Sequence, residues 1–149
     1  MFRYRFDTRA TPEQAFEAFT DFSDRRLEIW KGTLDPQKYE LQDQGESWAV
    51  VREGSGGTNI WVEVRYEWEA PGAIRWTLVD SDHCDHGTGR IGIRAGREGG
   101  STVETEIDHG QPRGLRGRAI LGMQRLIGPV MFPRLWKRAL DRYAAQQAG

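Results

Sequence analysis

The sequence predicts an α+β fold: a curved antiparallel sheet of seven strands wrapped around a long C-terminal helix, with two short helices after the first strand. Three observations predict it. Residues 2–8 and a long stretch from about 37 to 111 alternate apolar and polar positions with a period of two, the mark of half-buried strands. The segments that interrupt this alternation, GSGG, APG, CDHG and GREGG, are turn chemistry and are short. From about Leu115 the apolar spacing changes to threes and fours. Regular strands joined by short polar turns make an antiparallel meander with one dry face, and the terminal helix carries an apolar stripe to cover it. At 149 residues the chain is long enough for one sizeable core, and residues 1–149 are expected to form one domain.

In FRYRFDT (2–8), Phe2, Tyr4 and Phe6 share the inner face. In TPEQAFEAFTDF, Thr11 is placed to cap a helix. Pro12 suits its first position, and Gln14 stands where a capping box needs Glu or Gln. Ala15, Phe16, Phe19 and Phe22 then recur at helical spacing. SDRRLEIW forms a second short helix that contributes Leu27 and Trp30. Six strands follow, from QKYELQ, ESWAVVRE, TNIWVEVRYEWEA, AIRWTLVD, GRIGIRA and STVETEIDH. Their inward parity runs through Ile60, Val62, Val64, Tyr66 and Trp68, then Ile74, Trp76, Leu78 and Asp80. It continues through Ile91, Ile93 and Ala95, then Val103, Thr105, Ile107 and His109. Arg52 shares the parity of Trp48 and Val50. In the last helix the expected inner stripe is Leu115, Ala119, Met123, Leu126 and Val130, continued after a slip by Leu135, Ala139 and Tyr143. Pro129 and Pro133 predict a kink or a division into two segments, because each removes a helix hydrogen bond and crowds the preceding turn.

Composition narrows the function. Hydrophobic residues are 38% and charged residues 29% of the chain, which describes a globular protein without a membrane-spanning run. Six Trp, six Phe and four Tyr are a heavy aromatic load, suited to a core and to a pocket for flat or greasy ligands. One cysteine cannot make an internal disulfide, and MFRYRFDTRA lacks the apolar region of a signal peptide, so a cytoplasmic location is expected. The net charge of −1 conceals an asymmetry: residues 1–111 carry 13 Lys+Arg against 21 Asp+Glu, and residues 112–149 carry 8 against 1. Arg134, Arg138 and Arg142 form one ridge of the helix. It is either a solvated face or a surface that meets an anionic membrane or an acidic partner. No phosphate loop or nucleic-acid motif is present, and no nucleic-acid partner is expected.

The densest chemistry lies in VDSDHCDHGTGR (79–90), with Asp80, Asp82, His83, Cys84, Asp85 and His86. A zinc site needs three or four converging ligands, and no second group is evident beyond His109. The segment is therefore expected to be a hairpin tip at the rim of a cavity, with no metal. Nothing marks Cys84 as an activated nucleophile.

The order strand, two short helices, six strands, long helix resembles the helix-grip fold of the START-like superfamily, which includes the polyketide cyclase/dehydrase-like and birch-pollen-allergen-like proteins. The resemblance spans nearly the whole chain. It is carried by TPEQAFEAFTDFSDRRLEIW, by GGSTVETEI and by the closing LWKRALDRYAA. It implies a cavity between sheet and C-terminal helix for a small hydrophobic or aromatic molecule, without a cofactor. Trp48, Arg52, Tyr66, Trp68, Trp76, Ile91, Ile93, Thr105 and His109 are then candidate cavity residues, with Ala119 and Met123 opposite them on the helix. The first reading is a binding or transport protein. An alternative is a cyclase or dehydratase (aromatase), for which His109, Asp80 and Tyr66 are the candidate acid–base groups. A third is delivery of a lipid or quinone at an anionic surface. The ligand and the oligomeric state stay open.

Overall fold

The computed structural model describes residues 1–56 and 58–148. The elements are β1 (Phe2–Thr8), α1 (Pro12–Thr20), α2 (Arg25–Ile29), β2 (Glu40–Gln44), β3 (Trp48–Glu53), β4 (Val62–Glu69), β5 (Ala73–Ser81), β6 (Cys84–Ala95), β7 (Ser101–Pro112) and α3 (Gly114–Ala148). The seven strands form one antiparallel sheet in the order β1-β7-β6-β5-β4-β3-β2. The sheet curves without closing, and α3 lies across its concave side. This is the α+β helix-grip architecture that the sequence predicts. No helix among the described residues is long and apolar enough to cross a membrane.

The local signals are met where they are strongest. β1 alternates buried and exposed along its whole length, with Phe2, Tyr4, Phe6 and Thr8 inward. Thr11 caps α1 through a complete capping box. Its hydroxyl accepts from the Gln14 N–H at 3.1 Å, and Gln14 Oε1 accepts from the Thr11 N–H at 3.0 Å. Phe2, Tyr4, Phe19, Trp30, Phe132 and Trp136 form one aromatic cluster between β1, α1, α2 and α3.

Three expectations about direction are corrected. In β3 the inner face belongs to Ala49, Val51 and Glu53, so Trp48 and Arg52 point outward. There Trp48 carries the Arg65 guanidinium 4.4 Å over its ring, and Arg52 stacks 4.3 Å over Trp61. In β5 the register against β4 slips between Glu63 and Val64, so that Val64 faces Leu78 while Glu63 faces Asp80. The extra residue, Val79, is a β-bulge, and it reverses the parity beyond it. Asp80 is consequently exposed and Ser81 buried.

The third correction concerns α3. It is a single helix across both prolines, not two segments. Its inner line is Gly117, Leu121, Gln124, Gly128 and Phe132, continuing through Trp136, Ala139, Leu140 and Tyr143. At about 100° per residue, the expected stripe of Leu115, Ala119, Met123, Leu126 and Val130 lies roughly 180° away and faces solvent. Leu115 is 82% exposed, Leu126 79% and Met123 62%, and Ala119 is exposed as well. Close approach decides the matter. A Cβ on Gly117 would stand 2.4 Å from the His83 carbonyl oxygen, so only glycine lets the helix start pass this close.

Candidate functional site

A cavity of about 200 Å³ lies between the concave face of the sheet and α3. Its floor crosses the sheet from Glu53 on β3 through Val64 and Tyr66 on β4, Trp76 on β5 and Ile91 on β6 to Ile107 and His109 on β7. Trp30 closes it from the segment after α2. Gln124, Phe132 and Trp136 close it from α3, and Ile60, Trp61 and Val62 from the approach to β4 and its first residue. Trp76 can lie across β6 because the facing residue is Gly89, where a Cβ would fall 2.0 Å from the indole.

The lining is mainly apolar with two polar groups. Beside β3, Arg26 and Glu53 form a buried ion pair, Nε to Oε2 at 2.8 Å, with the residues 4% and 5% exposed. Glu53 Oε1 also accepts from the Tyr66 hydroxyl at 2.7 Å. Arg26 further donates to the carbonyls of Phe19 and Asp21, and its guanidinium lies 4.1 Å over the Phe22 ring. Burial works against the Arg26 charge, but Glu53 outweighs it and the guanidinium is held protonated more firmly than usual. Burial, seconded by Glu53, pushes the Tyr66 phenol well above its ordinary range. Beside β7, the His109 Nδ1 stands 3.0 Å from Gln124 Oε1, and the ring meets Trp76 edge to face at 5.4 Å. Burial lowers the His109 pKa from 6.5, against the opposing hydrogen bond to Gln124, so the imidazole is neutral near pH 7.

The wall therefore brings together Tyr66, Trp76, Ile91 and His109 from the sequence-predicted set. Trp68 and Ile93 pack in the core beside it, with Trp68 stacked on Phe22, and Thr105 is buried among the core residues. Trp48 and Arg52 face outward from the sheet, and Ala119 and Met123 face outward from α3. Asp80 lies outside the cavity, where it pairs with Arg113. The sequence reading missed Glu53 and Arg26. Glu53 is the one charged residue on the parity of Ala49 and Val51. Arg26 stands three and four residues before Ile29 and Trp30, on the buried face of α2.

The 79–90 cluster is divided by its strands. The β5–β6 turn is only Asp82 and His83, and Cys84 already begins β6. This turn is the tip of the β5–β6 hairpin, and His83 and Cys84 are fully buried there because the start of α3 packs over them. The Arg113 N–H donates to the His83 carbonyl at 2.8 Å, and Arg116 donates to Asp82 Oδ2 at 2.8 Å. Asp85 instead bonds Arg113, and exposed His86 lies 3.6 Å from Asp108.

No protein-family model matches the sequence, and no curated protein does. Solved structures match throughout the length. TTHA0849 from Thermus thermophilus superposes with a TM-score of 0.77 at 13% identity, covering 99% of this chain and 98% of that one. The Zhui aromatase/cyclase from a Streptomyces species superposes at 0.72 with 14% identity, covering 99% and 94%. A START superfamily protein from Mycobacterium smegmatis superposes at 0.66 with 14% identity, covering 98% and 97%. At such identities the likeness is one of fold: the chain shares the helix-grip fold of these proteins.

Proposed function

We propose that the chain binds a small, flat, uncharged and mostly apolar molecule in the cavity between the sheet and α3. The observation that carries this reading is the cavity itself: about 200 Å³, walled by Trp30, Trp61, Tyr66, Trp76, Phe132 and Trp136. A dry apolar cavity of roughly 150 Å³ is enough to hold benzene, so this space suits one or two fused rings. Charge sets the ligand's character. Arg26 and Glu53 neutralise each other and His109 is neutral, so the wall offers no net charge to a charged ligand. The Zhui aromatase/cyclase shares this fold, and an enzymatic reading is the alternative. His109 would then be the cavity base, since Asp80 lies outside and the Tyr66 proton is committed to Glu53.

An environment-sensitive aromatic probe tests the binding reading. It should bind the folded protein, and Val62→Trp, which narrows the cavity, should abolish that binding. Ala119→Trp, on the outer face of α3, should leave it unchanged. A probe that binds all three equally, or none, rules the cavity out.

The outer face of α3 favours a second reading, delivery of the ligand at an anionic membrane. Leu115, Met123, Leu126, Ile127, Val130 and Met131 are all exposed on the first half of this helix. Arg118 and Arg134, exposed and without an ion-pair partner among the described residues, flank the stripe, and α3 holds no acidic residue before Asp141. An apolar stripe edged with arginines is the pattern of a helix that lies in a lipid interface. Vesicles of mixed neutral and anionic lipid should retain the protein, high salt should weaken the binding, and Leu126→Glu should abolish it without lowering Tm. Equal behaviour of the wild type and Leu126→Glu on these vesicles refutes the reading.

A further inference from the structure

We propose that His83, Cys84 and His109 form a three-ligand site for a soft d10 metal ion, zinc(II) or copper(I), where the β5–β6 turn meets β7 beneath α3. The inference goes beyond ligand binding in the cavity and rests on its own observations. One ring nitrogen of each histidine and the Cys84 sulfur lie within 4.8 Å of one another. Metal–nitrogen and metal–sulfur bonds of about 2.0–2.3 Å place tetrahedral ligand atoms roughly 3.3–3.7 Å apart, so about 1 Å of side-chain closure completes the site.

The hydrogen bonds of the two rings select the nitrogens. His83 Nδ1 is 2.8 Å from Asp82 Oδ1, and His109 Nδ1 is 3.0 Å from Gln124 Oε1. An oxygen acceptor at Nδ1 holds the proton there and leaves the lone pair of the neutral imidazole on Nε2. Both Nε2 atoms are buried and have no partner among the described residues, and His83 is 0% exposed. A buried lone pair without a donor is costly, and here two such lone pairs occur in neighbouring rings with centroids 6.4 Å apart. The rings are inclined at 64° and are not stacked.

The surroundings are those of a metal centre. Asp82, which orients His83, is itself held by Arg116 at 2.8 Å and by the Trp61 N–H at 3.1 Å. Cys84 supplies the soft ligand that, with imidazole, selects zinc or copper(I) over calcium or magnesium. His109 also belongs to the cavity wall, so the three-ligand site adjoins the cavity. Binding involves no electron transfer. The ion replaces the thiol proton of Cys84, which passes to solvent, and each imidazole binds through its unprotonated Nε2. The sequence set His83 and His86 beside Asp82, Cys84 and Asp85, with His109 as the possible further ligand. The strands send Asp85 and His86 to the surface and bring in His109, 26 residues after His83 in the chain.

The test uses the full chain, freed of metal by a chelator and then dialysed. Cobalt(II) in place of zinc should bind one equivalent, with the strong visible bands of a four-coordinate site and a thiolate-to-metal band that Cys84→Ser removes. Zinc(II) and copper(I) are titrated separately against chromophoric chelators, copper under anaerobic conditions, and the tighter arm identifies the native ion. Gln124→Leu leaves the three ligands in place and removes the amide whose oxygen holds His109. It should weaken binding roughly 10- to 100-fold, and it keeps the proposal testable if a ligand variant fails to fold. The proposal falls if none of the three ions binds in a one-to-one ratio. It also falls if Cys84→Ser, folded by circular dichroism, keeps the full cobalt spectrum. Aromatic-probe binding is measured on the same metal-free protein, so failure of the metal site is distinguishable from failure of the cavity.

Discussion

Glu53→Gln isolates the charge of the buried pair from its shape. The amide keeps the volume of the carboxylate and still accepts from the Tyr66 hydroxyl, which now stands 2.7 Å from Oε1. Arg26, 4% exposed, loses the carboxylate it pairs with. Removing one partner of a buried pair costs about 3–5 kcal/mol, because the other charge stays desolvated. The Phe19 and Asp21 carbonyls at 3.1 and 3.4 Å, and the Phe22 ring, still compensate Arg26 in part. The lower end, about 3 kcal/mol, is therefore expected. For a chain of this size that lowers Tm by roughly 6–12 °C. Adding Arg26→Met removes the orphaned charge, and the double variant should regain at least about 2 kcal/mol of the loss. Urea unfolding of the wild type, both single variants and the double variant closes the cycle. A loss under about 1 kcal/mol for Glu53→Gln, or a double variant less stable than that single one, would refute the account of the pair as a mutually neutralising part of the cavity wall.

Asp141 ties α3 to the end of β1. It accepts from the Thr8 hydroxyl at 2.7 Å, from the Arg9 N–H at 2.8 Å and from Lys137 at 2.8 Å. Burial pushes its carboxyl up, but these donors more than offset burial and hold it below the ordinary 3.8. Its contribution is thus complete above that value and is lost as pH falls through the lower folded one. Asp141→Asn should cost about 1–2 kcal/mol at pH 7 and should flatten the acid limb of Tm against pH. An unchanged acid limb would rule this contribution out. Thr11→Ala removes one half of the capping box and should cost about 1 kcal/mol, read from the urea midpoint.

What the sequence by itself determined is what depends on neighbours along the chain. The strand period of 2–8, the capping box at Thr11–Gln14 and the succession of short turns are local patterns, and they suffice for seven antiparallel strands and a closing helix. Tyr66, Trp76, Ile91 and His109 reach the cavity wall because the period of two holds along the stretches of strand that carry them. Facing direction was decided only by the tertiary structure. Val79 bulges out of its pairing with β4 and turns Asp80 away, an event of cross-strand register that β5 does not encode alone. The outer and inner lines of α3 both step at helical spacing, and the outer one is the more apolar. The inner line is set instead by Gly117 and Gly128, which let the helix approach His83 and Phe2. Apolar counting favours large side chains, whereas close packing here needed small ones. The meeting of Arg26 with Glu53, and of His83 and Cys84 with His109, spans 27 and 25–26 residues of chain, respectively. Apart from His109, which the strand period already places inward, each residue alone reads as ordinary polar surface. Desolvation and mutual proximity, which exist only in the folded sheet, give these groups their chemistry.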